Sequence, residues 1–470
     1  MKNVIFITID SLRADHLSCL GYHRKTTPNL DNLAKEGVLF KNTISCGPDT
    51  PTSIVPLLTS TYILTYVIIN GGLNKLKTRA EEFERIGAIT SEIYRNRITI
   101  AEILKDSGYV TAAFHSNPFL SRHFYFGKGF DYFYDSFSSL GRFRKYAIKS
   151  KIEGILKKNI RLYNFAKYIY NRMHSNNIPY DRAEIINKRA ISWLKEHKKQ
   201  FFVWIHYMDV HFPYKPPKRF QLYFRSKSMN NLEMTKLNYK MIHKPEEISE
   251  NDMRDIIDLY DGEIRYVDYA IKLLLEELSE MNILNDTFII ITADHGEEFR
   301  EHGDFAHHHA KLYDEIIRVP LIISNSEYRN VEIDEPVSLL DVAPTILDLL
   351  GIPKNESFQG RSLVPIIRGE RKSSGIISEG LQKGKRSISY RTKEWKYIFN
   401  EVDAQRELYN IGCDSKEKKN LYEKEREKAR EFELKIKKHL LKQEKIAKGL
   451  TREKEKIKRK VGELKSYGKI

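Results

Sequence analysis

Two predicted strands of this chain end in residues that can bind a metal ion. The β-branched run 4–9 is followed by Asp10, and the similar run 288–292 is followed by Asp294 and His295. The carboxyl ends of buried strands form the edge of an open α/β sheet at which ligands bind. A simple Asp-His contact would explain the second pair, but not the carboxylate after the first run. The two strands therefore predict one composite site, whose carboxylates and imidazole suit zinc or manganese better than calcium.

Thr50 is the candidate nucleophile. It lies in a Gly-Pro-Asp turn just before a predicted helix. A hydroxyl in that position can attack an electrophile if a metal lowers its pKa and the helix N-terminus favours the developing anion. Threonine is also a common N-cap residue. The spacing alone favours this plainer N-cap role.

Strand-like and helix-like patterns alternate along most of the chain. The predicted strands are 4–9, 109–114, 201–205, 288–292 and 319–323, and the predicted helices are 99–107, 181–197, 249–278 and 339–350. This alternation predicts an α/β fold with a mostly parallel sheet flanked by helices.

The pattern changes after about residue 372. Short alternating runs at 387–391 and 395–399 predict a small antiparallel C-terminal subdomain. We therefore expect a catalytic domain at 1–371, the antiparallel subdomain at 372–420, and a charged helical tail at 421–470. The apolar residues expected to bury one face of the tail are Phe432, Leu434, Ile436, Leu440 and Leu441.

The composition restricts the class of protein. Net charge is +16, from 79 Lys and Arg against 63 Asp and Glu. Because the excess lies mostly in two helical stretches, it favours a solvated Lys/Glu-rich surface, and no nucleic-acid partner is expected. Three scattered cysteines indicate a reducing compartment. With no apolar run of 18 residues and no secretory leader, we expect a cytoplasmic protein. The oligomeric state stays open.

Segment 142–172 is strongly basic and rich in aromatic residues, with Glu153 as its one acidic residue. It fits a solvated helical hairpin that docks through its aromatic side chains. It also fits peripheral contact with an anionic membrane, or a lid over the site.

Several motifs taken together resemble the sulfatase family of the alkaline phosphatase superfamily. They are Asp10-Ser11-Leu12-Arg13-Ala14-Asp15-His16-Leu17, Thr27-Pro28-Asn29-Leu30-Asp31, the segment 206–214, Ala293-Asp294-His295-Gly296-Glu297, Leu312-Tyr313-Asp314-Glu315, Arg318-Val319-Pro320-Leu321, Gly360-Arg361-Ser362-Leu363 and Glu407-Leu408-Tyr409-Asn410. The resemblance implies an alkaline-phosphatase-like fold and one divalent metal ion. It also implies hydrolysis of small anionic phosphate, phosphonate or sulfate esters.

The resemblance assigns the metal site and the nucleophile. Asp10, Asp294 and His295 match metal ligands. Thr50 matches the nucleophile, which also faces the metal, by its distance from the Leu-Leu-Thr sequence at 57–59.

The resemblance also assigns the substrate-binding residues. His211 matches a histidine that contacts the anionic head of the substrate or its leaving oxygen. His309 lies four residues before Tyr313, where many relatives have a substrate-binding lysine, and the adjacent His308 is the second choice.

Three positions differ from the sulfatase pattern. Thr50 replaces the Cys or Ser that is converted to formylglycine, Ile54 replaces an arginine, and Ser11 replaces the second of two aspartates. These differences favour a threonine-nucleophile branch that resembles phosphodiesterases and phosphonate hydrolases. Cys46-Gly47-Pro48 resembles the start of a formylglycine motif, four residues too early.

Three other functions stay open. The first is a formylglycine sulfatase that uses Cys46. The second is a transferase that passes a phospho-headgroup to a lipid or glycan, with segment 142–172 at the lipid surface. The third is a binding protein without activity, which the complete set Asp10, Thr50, Asp294 and His295 argues against.

Overall fold

The computed structural model describes residues 2–71, 90–136, 178, 180–307, 310–324, 327–382, 385–401 and 403–466. The basic segment 142–172 and the two histidines His308 and His309 lie outside these residues. The roles predicted for them therefore stay predictions.

The strands are numbered in chain order. They are β1 Asn3–Ile9, β2 Gly37–Ile44, β3 Val110–His115, β4 Tyr132–Asp135, β5 Phe201–Tyr207, β6 Thr287–Ala293, β7 Glu298–Phe299, β8 Phe305–Ala306, β9 Arg318–Ser324, β10 Val331–Ile333, β11 Val337–Ser338, β12 Ile376–Gln382, β13 Lys385–Arg391, β14 Trp395–Asn400 and β15 Gln405–Asn410.

The main α-helices are numbered in the same way. They are α1 Pro28–Lys35, α2 Thr50–Thr59, α3 Leu64–Gly71, α4 Ile100–Asp106, α5 Ala183–Glu196, α6 Lys218–Gln221, α7 Asn231–His243, α8 Glu250–Glu280, α9 Asp314–Ile317, α10 Val342–Leu349, α11 Val364–Ile367 and α12 Arg426–Ser466.

A central sheet organises the described residues. Its strand order is β10-β2-β9-β6-β1-β5-β3-β4, with β11 also paired to β2. The pairs are parallel except those of β9, which runs antiparallel to β2 and to β6. The predicted α/β fold with a mostly parallel sheet is confirmed. Strand β2 was not among the predicted strands, and it leads into the turn that carries Thr50.

The central strands are buried on both faces, which explains their continuous apolar runs. In β1 the residues from Val4 to Ile9 are at most 1% exposed. Parallel strands covered by helices on both sides need such uniform hydrophobicity. Helix α8 packs against α1, α5 and α6. It starts at a capping box, in which Ser249 caps the helix and the side chain of Asp252 bonds back to Ser249.

The C-terminal region forms the predicted antiparallel sheet, in the order β12-β13-β14-β15. Helix α12 packs on it through Ala429, Phe432 and Ile436, with Leu440 partly buried. The division of the chain into domains at 371 and 420 stays a prediction. No helix within the described ranges is long and apolar enough to span a bilayer.

The predicted apolar face of α12 is wrong at two positions. Leu434 is 61% exposed and Leu441 is 52% exposed. The buried positions Ala429, Phe432 and Ile436 follow the spacing of three and four residues that keeps side chains on one helix face. Leu434 follows Phe432 by two residues and therefore points to the opposite side.

Candidate metal centre and nucleophile

Asp10 and Asp294 leave neighbouring strands at the same edge of the sheet. The parallel register pairs Ile9 with Ala293, so the residues that follow them lie side by side. Both carboxylates are fully buried. Ser11 lies between them with a φ of 58°, and its N–H donates to Asp294 Oδ1 at 3.2 Å. The backbone is thus held in a left-handed conformation that turns a donor toward the site.

The ring of His295 presents one nitrogen to the two carboxylates. Its Nδ1 donates to the carbonyl of Gly296 at 2.8 Å. This leaves Nε2 at 3.6 Å from Asp294 Oδ2 and at 3.8 Å from Asp10 Oδ1. Asp294 Oδ2 has no hydrogen-bond partner within the described part of the chain. A buried carboxylate oxygen without a partner is costly unless a cation compensates it.

The electrostatics of these groups favour added positive charge. Burial and the Asp10 carboxylate raise the pKa of Asp294. Burial alone would lower the pKa of His295, but Asp294 and Asp10 outweigh it and raise the value to about 9. The two carboxylates therefore hold an extra proton on the histidine, in a place that a divalent cation could occupy instead.

Thr50 is not the N-cap of its helix. Asp49 is the N-cap of α2, and its side chain accepts a bond from the N–H of Thr52 at 3.0 Å. The N-cap role considered for Thr50 is therefore wrong. The Thr50 hydroxyl oxygen instead lies 3.4 Å from His295 Nε2 and 3.5 Å from Asp10 Oδ2.

The donor spacing fits a common metal ion. Ligand atoms that bind a tetrahedral zinc ion at about 2.0–2.2 Å lie roughly 3.3–3.6 Å from one another. The separations among Thr50, His295, Asp10 and Asp294 given above run from 3.4 to 3.8 Å. These are long for ordinary hydrogen bonds but suitable for groups that share a cation. The residues present thus fit a divalent metal.

A further histidine lies close to the carboxylates. Ligand atoms of Asp10, His206 and Asp294 lie within 4.8 Å of one another. The sequence placed His206 at the end of a strand but gave it no role in the site. His206 comes close to Asp10 because β5 pairs with β1 in the sheet, and the spacing of these residues along the chain does not show this.

The rings of two more histidines, His307 and His211, lie one after the other beside that of His295. The ring centroids of His295 and His307 are 4.3 Å apart, and those of His307 and His211 are 5.4 Å apart. His211 Nδ1 donates to the carbonyl of Phe212 at 2.5 Å, and His307 Nδ1 lies 3.2 Å from the buried Glu297 Oε1.

The predicted substrate contacts are thus only partly placed. The structure brings His211 to the edge of the site, whereas His308 and His309 lie outside the described residues. His307 has no role in the sequence prediction because the family lysine matches the position four residues before Tyr313, which is His309. The run of three consecutive histidines at 307–309 was the sequence feature that could have identified His307.

Cys46 has different surroundings. Its side chain is 2% exposed, and its Sγ lies 3.6 Å from Ser338 Oγ on β11. Burial raises the pKa of the thiol to about 12. Its carbonyl accepts a bond from the N–H of Glu379 on β12 at 2.8 Å. These contacts differ from those of the metal-centre residues.

The chain matches two protein-family models. The model described as Sulfatase matches residues 2–352. The model described as N-sulphoglucosamine sulphohydrolase, C-terminal, matches residues 300–446. Together they cover both the central and the antiparallel sheet.

Individual proteins agree with this match. An arylsulfatase of Clostridium perfringens (strain 13 / Type A) is 25% identical over 456 residues, which cover 91% of this chain and 92% of the relative. A structure in complex with its substrate, D-glucosamine-2-N,6-O-disulfate, superposes with a TM-score of 0.68, at 18% identity, over 95% of this chain and 98% of the other. The phosphonate monoester hydrolase of Agrobacterium radiobacter has a TM-score of 0.67, at 18% identity, over 94% and 96%.

The family match and the arylsulfatase relative support a sulfatase-like ester hydrolase, and the two solved structures support the fold. Members of this family generally bind a divalent metal ion, in agreement with the donors described above. The family match spans most of the chain, including the strands that deliver Asp10, Asp294 and His295, and this chain belongs to the sulfatase family.

Proposed function

We propose that this protein is a metal-dependent hydrolase that uses unmodified Thr50 as its nucleophile. The observation that carries the proposal is the position of the Thr50 hydroxyl, 3.4 Å from His295 and 3.5 Å from Asp10. Asp10, Asp294 and His295 would hold the ion, with Thr50 as a further ligand. When bound, the ion stabilises the anionic form of the hydroxyl and the charge on the ester oxygens.

In the first step, Thr50 Oγ1 attacks the phosphorus in line with the ester oxygen that leaves. Thr50 begins helix α2, so the partial positive charge of the helix N-terminus favours its anionic form. The departing oxygen needs a proton or a hydrogen bond. His211 Nδ1 donates to the Phe212 carbonyl, so the neutral ring has a free lone pair on Nε2. In the proposed step this Nε2 takes up the Thr50 proton and returns it, as an imidazolium, to the departing oxygen.

In the second step, water attacks the phosphorus of the phosphothreonine. His211 takes up the proton of the attacking water, the bond to Thr50 Oγ1 breaks, and the threonine oxygen regains a proton for the next cycle. A formylglycine hydrate can instead release sulfate by breaking its own C–O bond, which a threonine ester cannot do. We therefore expect small anionic phosphate and phosphonate esters to be better substrates than sulfate esters, with zinc or manganese as the ion.

A formylglycine sulfatase that uses Cys46 is the second candidate. The similarity to sulfatases such as the arylsulfatase of Clostridium perfringens favours it. The contact of Cys46 with Ser338 rather than with the metal-centre residues argues against it. A transferase function would depend on segment 142–172, which lies outside the described residues. The cytoplasmic location also stays a prediction.

The test compares nucleophile variants on a panel of phosphate monoesters and diesters, phosphonates and sulfates with zinc, manganese and calcium. Thr50→Ala should lower turnover by about 10³-fold or more, whereas Thr50→Ser, which keeps a hydroxyl, should retain much of it. Cys46→Ala should change turnover little. Mass spectrometry of the native peptide should show an unmodified cysteine. Formylglycine at position 46 with sulfate esters as the best substrates would overturn the proposal.

A further inference from the structure

Three buried side chains form a line of hydrogen bonds that ends at Asp10. Trp204 Nε1 donates to Thr8 Oγ1 at 3.0 Å. Thr8 Oγ1 lies 2.8 Å from His206 Nδ1, and His206 Nε2 lies 3.3 Å from Asp10 Oδ2. All four residues are fully buried. The parallel register of β1 and β5 places Thr8 opposite His206, so the sheet itself aligns the line.

The direction of each bond follows from which groups can donate. An indole N–H can only donate, so Thr8 Oγ1 accepts from Trp204. The hydroxyl proton of Thr8 then has two acceptors, namely His206 Nδ1 at 2.8 Å and the carbonyl of Ile205 at 3.5 Å. The shorter bond is strongly favoured, because a hydroxyl bond at 3.5 Å is weak. Nδ1 of His206 therefore accepts, and the ring proton lies on Nε2.

The opposite tautomer would leave two unfavourable contacts. The Nε2 lone pair of His206 would face the Oδ2 carboxylate oxygen of Asp10. The Thr8 proton would be left with the distant carbonyl of Ile205. In a site closed to water, such unsatisfied polar groups are costly.

The line of bonds orients the carboxylate of Asp10. Its Oδ2 accepts from Asn117 Nδ2 at 2.9 Å as well as from His206, and the Thr50 hydroxyl lies farther away at 3.5 Å. Its Oδ1 accepts from Ser11 Oγ at 3.1 Å and lies 3.8 Å from His295 Nε2. The Asn117 and His206 donors fix the plane of the carboxylate, which leaves a second lone pair of Oδ1 for the proposed ion.

We propose that Trp204 and Thr8 fix the tautomer of His206, which positions Asp10 as a metal ligand and does not itself bind the metal. The role of His206 as a donor contrasts with the ligand role that its distance to Asp294 would also permit. The inference rests on the proposed function only in that Asp10 holds the ion. The tautomer itself is a property of the metal-free protein.

The first experiment reads the tautomer directly. In metal-free protein with ¹⁵N-labelled histidine, the His206 signals, assigned by their absence in His206→Gln, should show a proton on Nε2 and none on Nδ1. Thr8→Val removes the hydroxyl at nearly constant size and should abolish this preference. Thr8→Ser should keep it. A wild-type ring protonated at Nδ1 would overturn the proposal.

The second experiment measures metal affinity by competition with a chromophoric zinc chelator. Thr8→Val should weaken affinity by about 10–100-fold, the usual effect of losing a group that orients a ligand, and Thr8→Ser should restore it. His206→Gln keeps an N–H near the place of Nε2 and should bind zinc within a few-fold of the wild type. A loss of zinc binding in His206→Gln as complete as that in Asp294→Ala would make His206 a ligand and overturn the proposal.

Thr292→Val is the matched control. Thr292 lies beside Thr8 in the sheet and is equally buried, but its hydroxyl donates to the carbonyl of Pro320 at 2.7 Å. Thr292→Val should leave the His206 tautomer and the zinc affinity unchanged. An effect equal to that of Thr8→Val would mean that the line of hydrogen bonds acts only through packing. If wild-type protein binds no metal but shows the expected tautomer, the proposed function fails and the assignment of the His206 tautomer stands.

Discussion

The metal centre and the ion cluster around Lys396 are both buried, but only the second balances its charges among the described residues. Lys396 Nζ lies 2.8 Å from Asp314 Oδ1 and 2.8 Å from Glu417 Oε1, and Arg391 bonds Asp314 Oδ2 at 2.9 Å. Two acids thus meet two bases. In the metal centre, the two carboxylates meet imidazoles rather than lysine or arginine side chains. Acids matched by an equal number of permanent bases indicate a structural role, whereas carboxylates in excess of such bases indicate a place for a cation.

The Lys396 cluster joins the two sheets. Asp314 begins α9, which leads directly into β9 of the central sheet, whereas Arg391 and Lys396 belong to β13 and β14 of the antiparallel sheet. Beside it, Tyr313 donates to Glu407 at 2.9 Å. The cluster therefore fixes the C-terminal end of the loop that carries His307, and it links the antiparallel sheet to the proposed site.

The largest expected effect concerns the unbalanced cluster. Asp294→Ala removes a proposed metal ligand and should lower zinc affinity and turnover together by orders of magnitude, as measured by chelator competition and ester hydrolysis. Metal-free Asp294→Asn should be at least as stable as metal-free wild type, because the amide relieves repulsion between two buried carboxylates and can still accept from the N–H groups of Ser11 and His295. Full metal occupancy in the alanine variant would contradict the site.

The balanced cluster should respond in the opposite way. Lys396→Met leaves Asp314 and Glu417 without their shared cation and should lower the free energy of unfolding by about 3–5 kcal/mol, as measured in denaturant. Zinc affinity per folded molecule should stay close to that of the wild type. Lys393→Met is the control, because this lysine is exposed and its weak surface pair contributes about 0–1 kcal/mol. Equal losses in the two variants would remove the distinction between the clusters.

Helix α12 allows a similar comparison between its two faces. Phe432→Ala should lower the free energy of unfolding by about 3–5 kcal/mol because it leaves a cavity under the helix. Leu434→Ala, at an exposed position, should stay within about 0.5 kcal/mol of the wild type. Denaturant midpoints measure both changes. A large loss at Leu434 would mean that this face is covered in solution.

The smallest expected effect is a pH dependence. The pKa of His295 in the metal-free protein is raised from 6.5 to about 9. The protonated ring therefore stabilises the fold fully below pH 6.5, and this stabilisation is lost as the pH rises through about 9. Calorimetry of metal-free protein should show Tm falling over this window. His295→Gln should flatten the fall, and an identical slope in that variant would assign the dependence to other groups.

The sequence predicted those parts of the fold that repeat a local pattern. The runs that became β1, β5 and β6 are long and apolar because they are buried on both faces. Strand β2 was missed because it does not end in an obvious ligand. The prediction is wrong at Leu434 because this residue lies off the helical period that places Phe432 and Ile436 on the buried face.

The site was less accessible to sequence reasoning, for a physical reason. Distance along the chain does not show that Asp49 caps α2, which leaves the Thr50 hydroxyl to face Asp10 and His295. His206 gains its meaning from the opposite residue, Thr8, on another strand. The partners of Lys396 lie at Asp314 and Glu417, and no local motif predicts that they meet.

The position of β1 between β5 and β6 has a consequence for synthesis of the chain. Ser11 and Asp294 are hydrogen-bonded although they lie 283 positions apart. During translation β1 emerges first, yet its two neighbouring strands follow only at residues 201–207 and 287–293. An apolar strand whose two edges stay unpaired until about 200 to 290 residues have been synthesised is prone to pair with other chains. The nascent protein should therefore depend on chaperones, and the proposed metal site can form only after residues 294 and 295 have left the ribosome.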